Sequence, residues 1–66
     1  MKFDYYQRLF ILKEYNNLSN SCNKHSIDNN VMELHISRQR LSVFVNTIES
    51  LFDLDFYTLI ESLKKP

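Results

Sequence analysis

The 66-residue chain has no glycine, no alanine, no tryptophan, one proline and one cysteine, and its eight basic side chains cancel its eight acidic ones. Each shortage excludes something. Without glycine there is no phosphate-cradling loop, whose backbone amides need glycine at fixed positions. Any helix end that needs left-handed backbone must use Asn, the next best residue. With Cys22 alone there is no internal disulfide, which suits a reducing compartment. Zero net charge removes the general field that draws a domain to nucleic acid or anionic membranes, and leaves only local patches. No apolar run approaches the ~20 residues of a membrane span. The start, Met1-Lys2-Phe3-Asp4-Tyr5-Tyr6, has no signal-peptide core and carries an early acid. These features lead us to expect a cytoplasmic protein with no membrane association, whether made in the cytosol, delivered there or virus-encoded. The surplus of Asn, Lys, Ile, Phe and Tyr suggests AT-rich coding, as in a phage, plasmid or low-GC bacterium.

What is present makes one small domain over residues 1–66. A chain this short buries only roughly 60% of the surface its unfolded form exposes. Small scaffolds add disulfides, a metal or a partner chain to such a core. With a disulfide ruled out, a homodimer or a protein partner is the expected supplement.

The pattern predicts a mostly α, three-helix domain. A first helix over about 3–15 carries Phe3, Tyr6, Leu9 and Phe10 on one side, widened by Tyr5 and Leu12. Asn16-Asn17 would end it. Residues 16–30, NNLSNSCNKHSIDNN, contain six Asn and three Ser. Such side chains bond their own backbone, so this stretch reads as a loop or linker, although a loop this long would be unusual unless it were functional or hid a short helix. In 31–36, Met32, Leu34 and Ile36 alternate with polar residues, as in a short β-strand that would pair between chains. A helical reading remains open there, against which Asn30, Glu33 and Ser37 would fall on the apolar side of the next helix.

That next helix, 38–53, is the clearest, with Leu41, Phe44, Val45, Ile48, Leu51 and Phe52 at helical spacing. Ser37 would cap it, and Ile36 with Leu41 would staple its start. A last helix over 55–65 has Phe56, Leu59, Ile60 and Leu63 as its stripe. Asp55 caps it, Leu54 and Leu59 staple it, and Lys64 and Lys65 suit its negative end.

Few groups carry chemistry. Cys22-x-x-His25 with His35 is too sparse for a structural zinc site, which takes four ligands. Asp53 and Asp55 flank a helix start, where carboxylates serve as caps rather than as a catalytic pair. No catalytic set, metal, cofactor or small-molecule substrate is expected. The leading expectation is a non-enzymatic regulatory or interaction protein that binds another protein, as a homodimer. Tyr5, Tyr6, Val43 and Tyr57, which lie off the main stripes or crowd the first helix, are the candidate partner contacts. The alternative is a DNA-binding transcriptional regulator. Arg38, Gln39 and Arg40 at the start of the strong helix would meet phosphates or base edges, and Lys64 and Lys65 could extend the patch.

Two families share elements of this pattern. A strand over 31–36 followed by helices 38–53 and 56–64 resembles, over the last half of the chain, the ribbon-helix-helix repressors. That resemblance implies strand pairing in a dimer and DNA readout by outward strand residues, here Glu33, His35 and Ser37. The acidic Glu33 and the short interhelical turn depart from the family. Asp4-Tyr5, Arg8-Leu9, Asp28-Asn29, Arg40-Leu41 and Leu51-Phe52-Asp53 occur in the order seen in the small helical modulators that bind nucleoid proteins. The chain is similar to them in those residues, but it lacks their second helix and C-terminal Trp. No functional residue is carried over from either family.

Overall fold

The computed structural model describes residues 4–64. It is a three-helix domain: α1 (Tyr5–Ile27), α2 (Val31–Phe52) and α3 (Phe56–Lys64), with no strand among the described residues. Phe3 and Lys65, assigned to helix ends above, lie outside these residues. Helices α1 and α2 form a long antiparallel hairpin, and α3 folds back over one end of it. At ~1.5 Å per residue, the 23 residues of α1 account for the long dimension of a 39 × 22 × 17 Å molecule.

The start of α1 is set by a capping box. The Asp4 carboxylate accepts from the Gln7 N–H at 2.7 Å, and the Gln7 side chain accepts from the Asp4 N–H at 3.2 Å. The helix does not stop at Asn16-Asn17. It runs through most of the predicted loop to Ile27. Asn and Ser are poor helix formers, but tertiary packing overrides propensity when a seam is present. Here Ile11 is buried, and Leu12, Tyr15, Leu18, Cys22 and His25 are half-buried at spacings of three and four residues, all along one side. The Asn residues at 16, 17, 20 and 23 fall on the exposed side.

The hairpin turn supplies what glycine would in most proteins. Asn29 takes left-handed backbone with φ 56°, the Asn30 N–H donates to His25 O at 2.9 Å and the Asn29 N–H donates to Ser26 O at 3.2 Å. These two bonds are the Schellman pair that closes a helix C-terminus. Asn30 then turns round and caps α2, its Oδ1 accepting from the Glu33 N–H at 3.2 Å. One residue thus ends one helix and starts the next.

That cap corrects the reading of 31–36 as a strand: the segment is the first part of α2. Leu34, Ser37, Leu41, Val45, Ile48 and Phe52 continue one inward line at helical spacing, and the alternation of Met32, Leu34 and Ile36 is a coincidence of short range. The expected conflict resolves residue by residue. Asn30 is the cap, Glu33 is exposed, and Ser37 is 6% exposed. In a chain without Gly or Ala, Ser37 is the small residue on α2's inward line. It therefore neither caps a helix nor follows a staple, since its helix begins six residues earlier.

The core gathers where three helices meet: Ile11 from α1, Ile48 from α2, and Phe56, Leu59, Ile60 and Leu63 from α3, with Leu12, Tyr15, Phe44, Val45 and Phe52 packed against them. The stripe expected of the last helix is fully buried, as read from the sequence. Phe44, Phe56 and Tyr15 form a ring ladder, with centroids 6.1 Å and 5.1 Å apart in succession. The tight connection before α3 rests on both acids singled out earlier, in different roles. Asp53 ends α2 in left-handed backbone (φ 53°) rather than flanking a start, while Asp55 caps α3 through the Thr58 N–H and hydroxyl at 3.1 and 2.7 Å. Glu49 adds a second cap, its Oε2 accepting from the Phe56 N–H at 2.6 Å. At the other end of α3, Arg8 of α1 donates from its guanidinium to Leu63 O at 2.8 Å, a cation on a helix C-terminus.

Candidate interaction surface

Ten large hydrophobic side chains are exposed among the described residues, against six buried in the core. Isolated exposed apolar residues are ordinary, whereas contiguous ones mark contact sites. Several of these ten are contiguous.

The main surface is a groove of about 640 Å³ along α2, floored by Phe44 and Ile48 and lined by Ile36, Val43, Leu51 and Phe10 of α1. Its polar members are Gln39, Arg40 and Thr47. Phe10 and Phe44 meet across it with ring centroids 6.5 Å apart. Val43 is 65% exposed, Leu51 71% and Phe10 58%. At 3.6 residues per turn, residues 36, 40, 43, 44, 47 and 51 lie within about 50° of one line along the helix. This line is separate from the inward one, so α2 is apolar on two sides. The single charged side chain in the groove is Arg40. The Thr47 hydroxyl is committed to the Val43 carbonyl at 2.7 Å.

A second, smaller depression of about 380 Å³ lies near the start of α1, lined by Tyr5, Arg8, Leu9, Leu12 and Leu63. Tyr5 and Tyr6 pack edge to face beside it, centroids 5.5 Å apart, and are 66% and 79% exposed. A third group, Ile27, Val31 and Met32, caps the tip of the hairpin.

All four residues predicted to contact a partner are therefore exposed, but they do not form one site. Tyr5 and Tyr6 are together, Val43 is in the groove, and Tyr57, 76% exposed on α3, lines neither depression. Phe10, Ile36 and Leu51 belong to the groove and were missed as contacts. Phe10 and Leu51 were read as core, and Ile36 as strand. The signal was there in α2, where Ile36, Val43 and Leu51 recur at two-turn spacing beside, rather than on, the inward line.

Arg38, Gln39 and Arg40 do not open a helix. They stand in the interior of α2, with Arg38 on the side away from Arg40. Gln39 and Arg40 face the apolar groove. The helix start and the strand that motivated a DNA-reading surface are both absent there: these residues and 31–36 lie within α2. Cys22 and His25 are half-buried on α1's inward side, and His35 is exposed on α2. No three His, Cys, Asp or Glu side chains stand together as a metal site among the described residues. No helix among them is long and apolar enough to cross a membrane.

The Asp55 carboxyl is held below 3.8, chiefly by the hydrogen bond from the Thr58 hydroxyl and then by the Thr58 N–H. This is a capping carboxylate outside the groove.

Comparison with protein-family models, curated proteins and solved structures finds no match to this chain.

The arrangement of the surface is what remains to reason from. Apolar side chains held on a rigid helix, with polar groups at their margin, can take up another apolar surface.

Proposed function

We propose that this chain is a small, non-enzymatic interaction protein of regulatory type, which acts by binding another protein through the α2 groove. The observation that carries this reading is the contiguous apolar stripe of Val43, Phe44, Leu51 and Phe10 on a folded scaffold. Aromatic and aliphatic anchors rimmed by Gln39, Arg40 and Thr47 are the usual anatomy of a docking site, in which a few central side chains supply most of the binding energy. The exposed Tyr5–Tyr6 pair offers a second anchor of the same kind. Action in the cytosol is supported by the free thiol of Cys22.

The test uses an environment-sensitive dye that brightens on apolar surface. Folded, dilute protein should bind it, and Leu51→Glu should weaken that binding while leaving the helical circular dichroism unchanged. A folded protein that binds no dye when dilute would refute the reading.

A further inference from the structure

We infer that the α2 groove takes the α2 helix of a second copy of this chain, antiparallel, about a two-fold axis passing between Val43 and Phe44. This rests on the reading of the groove as a docking surface and names its occupant.

Two observations support a second copy. The first is the order of residues along the stripe. Outward from the Val43–Phe44 midpoint, both directions give apolar (Val43 or Phe44), polar (Arg40 or Thr47), then apolar (Ile36 or Leu51), at equal distances on each side. A two-fold interface uses the same patch on both chains, with residue i meeting j and j meeting i. Antiparallel pairing of this stripe sets Ile36 against the second copy's Leu51, Val43 against its Phe44, and Arg40 against its Thr47. Apolar meets apolar in the Ile36–Leu51 and Val43–Phe44 layers, while Ile48, 5% exposed and part of the core, falls opposite the second copy's Gln39.

The second observation is charge. The net charge is zero, so copies do not repel as wholes. Arg40 is the one charge in the groove. The antiparallel register sets the two Arg40 side chains seven residues apart along the helices, roughly 10 Å, so no like charges oppose. A parallel pair would stack Arg40 on Arg40. The antiparallel arrangement also sets the two helix dipoles against each other favourably.

The experiment measures mass by sedimentation equilibrium from micromolar to near-millimolar protein, on the wild type and on Val43→Arg, Val43→Glu and their equimolar mixture, with Tyr57→Arg as a control outside the groove. Wild type and Tyr57→Arg should reach twice the chain mass. Position 43 lies next to its own copy across the axis, so each Val43 variant should self-associate at least tenfold more weakly, with unchanged circular dichroism, and the mixture should dimerise again. That recovery is specific to a self-complementary interface centred there. A wild type that stays monomeric but binds the dye overturns the dimer and leaves the docking surface to a different protein. A monomer that binds no dye overturns both. A Val43→Arg protein that dimerises as well as wild type, or a mixture that fails to recover, also overturns the proposed interface.

Discussion

Leu59→Ala should be the most damaging simple truncation in this chain. Leu59 is 0% exposed and sits at the centre of the cluster made by Ile11, Ile48, Phe56, Ile60 and Leu63. Truncating a buried Leu costs the transfer energy of the lost atoms plus the cavity, about 2 to 5 kcal/mol. The surrounding helices are held at several points: Arg8 ties α1 to the end of α3, and Glu49 and Asp55 fix its start. Such a site cannot collapse into the void, so about 3 kcal/mol is expected. A domain of this size has roughly 3 to 10 kcal/mol in all, so the variant approaches unfolding. With a urea slope of about 1 kcal/mol/M, the midpoint should fall by about 3 M. Urea melts followed by far-ultraviolet circular dichroism, at one low protein concentration, measure this. Leu51→Ala is the companion: the same chemistry at a side chain 71% exposed, expected to move stability by no more than about 0.5 kcal/mol when the protein is dilute. A Leu59→Ala cost below about 1 kcal/mol, or a larger cost at Leu51 than at Leu59, would refute the assignment of inside and outside.

Two further outcomes follow from the helix ends. The Asp55 carboxyl is held below 3.8 by its bonds from Thr58, so the stability it adds is fully present above its unfolded value and is lost as pH falls through the lower folded one. The stability gap between wild type and Asp55→Ala should therefore be constant near neutrality and narrow between about pH 4 and pH 2; a gap that persists unchanged into acid would contradict it. At the hairpin turn, Asn29→Ala puts a plain Cβ at φ 56° and should cost about 1 kcal/mol, whereas Asn29→Gly should melt no lower than wild type. Equal melting temperatures for the two variants would show that the left-handed turn carries no strain.

Sequence reading succeeds in this chain where local signals and tertiary packing agree. In α3 the cap at Asp55 and the stripe Phe56, Leu59, Ile60 and Leu63 point the same way, and all four are buried. It fails where they disagree. The Asn and Ser residues of 16–27 favour turns, but Leu18, Cys22 and His25 keep a helical seam running through them, and that seam is visible only once Ile11 rather than Phe10 is taken as its origin. A left-handed Asn does stand at one helix end, at Asn29 rather than Asn16 or Asn17, but the left-handed end of α2 is Asp53, not the Asn that the absence of Gly was expected to require. Asn30 could not be read as a cap while Met32, Leu34 and Ile36 suggested a strand. The candidate surface was half legible for a related reason. Val43 stood apart from the inward line, but Leu51 lies near enough to both lines of α2 to be taken for core.

That second line on α2 is left open because α3 packs on a different side of that helix. With nine residues at ~1.5 Å each, α3 spans well under half the length of α1. It can cover one end of the hairpin only, and it buries the Ile48 side of α2 there. The side carrying Ile36, Val43 and Leu51 meets Phe10 of α1 and no part of α3, although its residues are as apolar as those of the core. A longer α3 would not help, because it lies on a different side of α2. Among the described residues that stripe lacks a closing element. On the proposed dimer this element is α2 of the second copy, which makes the two hairpins into one bundle with α2 at its centre. The Tyr5–Tyr6 pair and the hairpin tip at Ile27, Val31 and Met32 remain on its outside, twice over. A small chain would then present each of its remaining apolar surfaces in two copies, which raises avidity toward any bivalent partner without a new contact.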